Sequence, residues 1–150
     1  MKRSVLSACA AIVQKEIEFY AGFTCLEYDV NDENTMRVAG TGIFRSIIYA
    51  NENQPYSAIE QAKTDRKPVF VRNRNSSICR KCSTNRICTG KAEVVVPLYI
   101  RQAFLGTLSL LCYDEKIHKD MLEHTEYYKN LAVHVGQAIT RIAESYLLED

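Results

Sequence analysis

Residues 93–115 read EVVVPLYIRQAFLGTLSLLCYDE. Two apolar arms, AEVVVPLYI and FLGTLSLLCY, flank the short polar connector Arg101-Gln102-Ala103. That pattern predicts a β-hairpin. Both arms are nearly continuous in apolar residues, which implies burial on both faces of the sheet that contains them. Pro97 has no N–H to give to a ladder, so it is expected at a strand edge or an irregular point.

Working outward, the chain downstream is helical in pattern. Tyr128, Leu131, Val135, Ala138 and Ile142 recur at alternating steps of three and four, predicting one helix over 118–149. Thirty-two helical residues would span about 48 Å, more than the width of about 40 Å expected for a domain of this size. The helix is therefore expected to overrun its domain and meet a partner helix, giving a homodimer. Upstream, Leu6, Ala10, Val13, Ile17 and Tyr20 form a second helical stripe over 4–21, with Ser4 as N-cap and Gly22 as stop. FTCLEYDV and TMRVAG around the polar turn 31–34 read as a hairpin. IFRSIIYA fits strand or helix, YSAIEQAKTDRK a short helix, and PVFV a short strand.

The 150 residues suit one domain. Net charge is only +1, but its distribution is uneven. From Arg66 to Lys91 there are eight bases and no acid, leaving −7 on the rest. The start, MKRSVLSAC, resembles a lipoprotein leader, yet only Val5 and Leu6 are strongly apolar before Cys9, too few for the apolar region of a leader. No run reaches the roughly 20 apolar residues of a membrane span. A cytoplasmic protein with reduced cysteines is expected, with no membrane partner.

Inside the cationic stretch lies ICRKCSTNRIC, residues 78–88, with Cys79, Cys82 and Cys88. Isolated buried cysteines behave as small hydrophobes, but three thiols in a polar loop have no core to fill. A two-residue gap lets two sulfurs face one ion, as in zinc knuckles and iron–sulfur proteins. Neighbouring cations favour the thiolate. The loop thus reads as a zinc or iron–sulfur site, a thiol-redox site, or a disulfide. A closed metal site needs a fourth ligand, for which Cys112, Cys25 and His118 are candidates. Glu93, at the start of an apolar strand beside this loop, reads as a salt-bridge partner or a ligand contact. His124 and His134 read as surface or packing residues. Gly40-x-Gly42 lacks the third glycine and the βαβ context of a dinucleotide fingerprint. No Ser/His/Asp arrangement emerges, so no catalytic residue is assigned.

The spacing of Pro97-Leu98 to Gly106-x-Leu108-x-Leu110, followed by a terminal helix, resembles the signature of GAF domains. PAS domains share the gross architecture but usually lack that spacing. The resemblance covers nearly the whole chain. It implies an α+β fold with a central antiparallel sheet of five or six strands. Terminal helices would lie on one face and a small-molecule pocket on the other, with Tyr49, Tyr56 and Arg72 as ligand contacts. The cysteine triplet resembles a variant of GAF-type input domains in bacterial transcription regulators, including those acting with sigma factor 54. A non-enzymatic sensory domain is the resulting expectation, with its output domain outside these residues. Two other functions compete. Free methionine-R-sulfoxide reductases are similar GAF-fold enzymes that use loop cysteines, although the cysteines here are more tightly packed. A basic zinc knuckle could contact nucleic acid, but no aromatic residue for base stacking lies between Phe70 and Tyr99, so direct nucleic-acid binding is not expected.

Overall fold

The computed structural model describes residues 3–48, 58–81 and 88–149. The predicted hairpin is its centre: β4 (Ala92–Ile100) pairs antiparallel with β5 (Ala103–Cys112), from Ala92 opposite Cys112 to Ile100 opposite Ala103. Arg101 turns the chain with φ of +58°. Two further strands, β1 (Glu27–Asp32) and β2 (Arg37–Gly40), and the short β3 (Val69–Val71) complete an antiparallel sheet of order β2-β1-β5-β4-β3. Pro97 lies beyond Val95, the last β4 residue that β3 pairs, and immediately before a bulge at Leu98/Tyr99. It therefore occupies the irregular edge position its chemistry demands.

Strand alternation divides the hairpin into two faces. Val94, Val96, Leu98, Leu108, Leu110 and Cys112 point inward with Tyr28 and Val30 of β1. They meet four helices: α1 (Val5–Ala8), α2 (Ala10–Thr24), α5 (Glu115–Glu123) through Met121, and α6 (Thr125–Glu149). Gly136 brings α6 down onto β4, since a Cβ there would lie 3.0 Å from Leu98 Cδ2 and 3.4 Å from Val96 Cγ2. On the opposite, outer face, Val95, Val69 and Val71 pack against Ala58, Ile59 and Ala62 of α3 (Ala58–Asp65).

Several helix boundaries differ from the sequence reading. Ser4 caps the first helix as predicted, accepting the Ser7 N–H at 3.0 Å, but the stripe breaks at Cys9 into α1 and α2. Gly22 does not stop α2. The helix runs on through Thr24 to a cap at Cys25, whose φ of +59° ends it; Phe23 meets Phe19 edge to face and the Thr24 hydroxyl bonds the Tyr20 carbonyl. Strand β1 accordingly starts at Glu27 rather than Phe23. The C-terminal stripe is also two helices, α5 (Glu115–Glu123) and α6, broken at His124. Asp114 caps α5 by accepting the N–H groups of Lys116 and Ile117. The 25 residues of α6 span about 37 Å, shorter than the single rod expected. Residues Gly42–Ile47 form a 3₁₀ helix, and Ser77–Lys81 form the short α4. Among the described residues, no helix is long and apolar enough to cross a membrane.

Candidate functional site

The motif Gly106-Thr107-Leu108-Ser109-Leu110 sends its leucines to the helices and its hydroxyls to the outer face. Gly106 has φ of +148°, and a side chain there would collide with the Asn31 carbonyl, so glycine alone allows β5 to approach β1 this closely. Asn31 stands opposite Thr107, and Asp29 opposite Ser109. Asn31, Thr107 and Ser109 are buried to within 1% of full burial. Among the described residues, both polar atoms of the Asn31 carboxamide, Thr107 Oγ1 and Ser109 Oγ have no hydrogen-bond partner. An orphaned buried polar group costs about 1–3 kcal/mol, so a cluster of four atoms is a substantial burden on the fold.

Beside this cluster, Arg37 of β2 lies fully buried against Asp29, with Nε 2.6 Å from Oδ1 and Nη2 3.2 Å from Oδ2. The Phe44 ring lies 4.8 Å from the guanidinium carbon. Asp29 neutralises the cation and the ring covers it, which makes burial of an arginine tolerable. Next along the face, the Thr41 hydroxyl donates to Glu27 at 2.6 Å and accepts the Tyr28 N–H at 2.8 Å. Gly42 follows with φ of +56°, a left-handed conformation that favours glycine.

The cysteine loop returns to the sheet at this same outer face. Cys88 accepts the Gly90 N–H at 3.4 Å, and Gly90 adjoins Cys88 Sγ, Leu111 and Tyr113. Glu93 and Glu27 share the face, each opposite Leu111 on one side of β5. Tyr113 senses this neighbourhood. Burial pushes its hydroxyl pKa up, and negative charge from Cys88, Glu93, Glu27 and Asp29 pushes it further. Cys79, on α4, packs half-buried against the apolar cluster of α3 and β3.

The other predicted site residues are scattered. Cys112 lies on the inner face opposite Ala92, its thiol donating to the Asp114 carbonyl at 3.1 Å. Burial raises its pKa. Strand alternation puts its side chain on the face opposite to that of Leu111, which Gly90 and Cys88 approach. Cys25 is exposed at the end of α2. The Arg72 side chain is exposed, and its carbonyl bonds His118 Nε2 at 2.8 Å, tying α5 to the segment before α4. Tyr49, Tyr56 and Cys82 lie outside the described residues. Among the described residues, no three His, Cys, Asp or Glu side chains are arranged to hold a metal ion. The thiols Cys79 and Cys88 are chemically suited to zinc or a cluster but need Cys82 and a further donor to complete one. Sequence reasoning missed Asn31, Thr107 and Ser109. The available signal was the two hydroxyls alternating with leucine in GTLSL.

This overall fold is shared with solved structures. The GAF domain of nlh2 from A. aeolicus superposes with a TM-score of 0.64, covering 97% of this chain and 95% of that one at 11% identity. The chain has a GAF fold. The type II free methionine-R-sulfoxide reductase from Thermoplasma acidophilum superposes with a TM-score of 0.62, covering 95% of this chain and 97% of that one at 10% identity. Identities this low carry the GAF fold and nothing beyond it. No protein-family model matches the chain. A curated Escherichia coli (strain K12) protein, named as a uric acid sigma-54-dependent transcriptional regulator, UacR, is 26% identical over 155 residues. The alignment takes in 99% of this GAF chain but only 24% of the regulator's length.

Proposed function

We propose that this GAF domain is the signal-input module of a transcription regulator, taking a small molecule or a redox change at the outer face of the sheet. The observation that carries the reading is the seating of Gly90, with Cys88 Sγ, Leu111 and Tyr113 around it, on that face, while alternate residues of the same strands pack on α6. A signal bound there lies one sheet thickness from the terminal helices. It acts only if it binds two helix arrangements with different affinity. The alignment with a sigma-54-dependent regulator over 99% of this chain supports that role, and the name of that regulator makes urate the first ligand to try.

In this reading Cys79, Cys82 and Cys88 hold zinc or an iron–sulfur cluster, or act as redox thiols. Tyr49, Tyr56, Arg72 and Glu93 remain the proposed ligand contacts. Bound metal would supply a charge-dense or redox-active centre at the sheet face. Exposed Ile12, Phe19 and Phe23 on α2, spaced seven and four residues apart, fit a homodimer through the terminal helices. The output domain would lie outside these residues, in a cytoplasmic protein.

The test is elemental analysis and visible absorption on anaerobically purified protein, beside Cys79→Ser and Cys88→Ser. Metal or colour present in the wild type and lost in both variants, with helical content unchanged, is the expected result. Equal metal content and equal thiol-oxidation response in all three would remove the loop from the mechanism.

A second reading rests on the structural likeness to the Thermoplasma reductase and on the close sequence spacing of Cys79, Cys82 and Cys88. A thiolate would take the oxygen of a sulfoxide with one proton from solvent, releasing the thioether and leaving a cysteine sulfenic acid. A second thiol would then close a disulfide with loss of water. Thiol-dependent turnover of free methionine sulfoxide would favour this enzyme over the sensor.

A further inference from the structure

Strand β3 pairs β4 only as far as Val95. From Val96 to Leu98, β4 is paired by β5 alone among the described residues. Beside that open margin lies a cavity of about 460 Å³, within the range of about 300–1,000 Å³ usual for small-ligand pockets. Val96, Pro97 and Leu98 line it from the sheet, and Val133 and Gly136 line it from α6. Pro97 has no N–H to offer, so the margin is a poor template for a further strand. Across from α6 stand Arg66 and Lys67, where the chain turns from α3 to β3. Arg141 of α6 faces the same cavity, and Glu144 is the one acid in its lining. Three bases against one acid leave a charge of +2 around an apolar strand.

Arg66 is held in place without being neutralised. Its N–H bonds the Ala62 carbonyl at 2.9 Å and its φ is +57°, a left-handed conformation that glycine adopts with less strain. The side chain kept there lies over Tyr99, with the guanidinium carbon 4.6 Å from the ring centroid. Stacking uses the face of the guanidinium and leaves its in-plane N–H fork, the part that matches a carboxylate. Among the described residues, no carboxylate lies within ion-pair distance of Arg66, Lys67 or Arg141. We infer that this groove binds a small organic carboxylate with a flat apolar body. The carboxylate meets the Arg66 fork and the body lies along Val96, Pro97 and Leu98. Lys67 and Arg141 add attraction for the anion. A bare inorganic anion would leave the apolar strand wet, and an uncharged ring would leave the cations unmatched. The groove borders the second half of β4, whereas Gly90 and Cys88 lie before its first residue, so the site is separate from the proposed signal site. A ligand here bridges the turn at 66–68 and α6, and its binding favours the arrangement in which α6 is seated on β4.

The experiment is titration of the chain, followed by NMR at constant ionic strength, with 2-naphthoate, its uncharged isostere 2-naphthamide, and acetate. 2-Naphthoate should shift the methyl resonances of Val96, Leu98 and Val133 and raise the melting temperature. 2-Naphthamide lacks the charge and acetate lacks the body, so each should bind at least about tenfold more weakly. Arg66→Gln should weaken 2-naphthoate by about tenfold or more. Arg66→Lys should recover only part of that loss, since it restores the charge without the fork. No binding of 2-naphthoate, equal binding of the amide, unchanged affinity in Arg66→Gln, or shifts confined to residues outside the groove would each overturn the inference. Should Arg66→Gln melt lower because Tyr99 loses its cap, the exposed Arg141→Gln carries the test from α6, and unchanged affinity there overturns the inference equally. The metal and thiol measurements on Cys79→Ser and Cys88→Ser are independent of these outcomes, so a failed groove leaves the input-domain reading standing.

Discussion

The two faces of one hairpin contrast more sharply than any two elements of this molecule. Toward the helices, β4 and β5 present Val94, Val96, Leu98, Leu108 and Leu110, all buried among aliphatic neighbours. Away from them, the alternate residues of β5 and its neighbour β1 present Thr107, Ser109, Asn31 and Asp29, equally buried but polar. Burial is the same and chemistry is opposite. The inner face obtains its stability from apolar area removed from water. The outer face carries polar groups that must be matched by partners of particular geometry, a condition for recognition more than for folding. The proposed sensor role would use both, since a signal on the outer face would have effect only through a stable inner face that carries it to α6.

The largest expected effect tests the polar side. Arg37→Ala would leave Asp29 buried without its cation. Removing one partner of a buried pair costs about 3–5 kcal/mol, so chemical denaturation should show a loss of that size. A loss below about 1 kcal/mol would mean the outer face is solvated and the contrast between faces is false.

Next comes the apolar side. Leu110→Ala truncates a fully buried side chain and should cost about 2–5 kcal/mol, read from the denaturation midpoint with an unchanged slope. Its neighbour Ser109 faces the other way, so Ser109→Ala should cost nothing measurable. Similar losses at both positions would erase the division of labour along β5.

How legible this was from sequence follows the same division. The hairpin, the leucines of Gly106-x-Leu108-x-Leu110 and the helical stripes could be read because apolar periodicity reports burial directly. Treating FLGTLSLLCY as one apolar run hid Thr107 and Ser109, because a run has no faces until its partners are known. Pairing of Arg37 with Asp29 depends on the register of β1 against β2, which neither strand states alone. The helix breaks at Cys9 and His124 have no Gly or Pro to announce them. The cysteine loop was visible as chemistry but not as geometry. Its spacing makes Cys79 and Cys88 near neighbours in sequence, yet one packs on the α3 cluster and the other lies beside Gly90 near the end of β5.

The smallest expected effect separates the faces by pH. Tyr28 belongs to the inner face, fully buried, with its hydroxyl 3.0 Å from that of Thr24. Burial pushes its pKa up to about 12, with nearby Tyr20 and Tyr127 adding to the rise and the Thr24 bond opposing it. An unfolded tyrosine loses its proton near pH 10, whereas the folded chain holds it longer. Folding therefore keeps this contribution in full below about pH 10 and loses it as pH rises through the folded value of about 12. Two pKa units correspond to about 2–3 kcal/mol. Denaturation at a series of pH values should show that decline in the wild type and a shallower one in Tyr28→Phe. Equal declines in the two proteins would place the alkaline sensitivity elsewhere, with Tyr113 on the outer face and Tyr128 near α5 as the other raised hydroxyls. Tyr113→Phe would then distinguish them, because only the outer-face tyrosine is held up by the charges around Cys88 and Glu93.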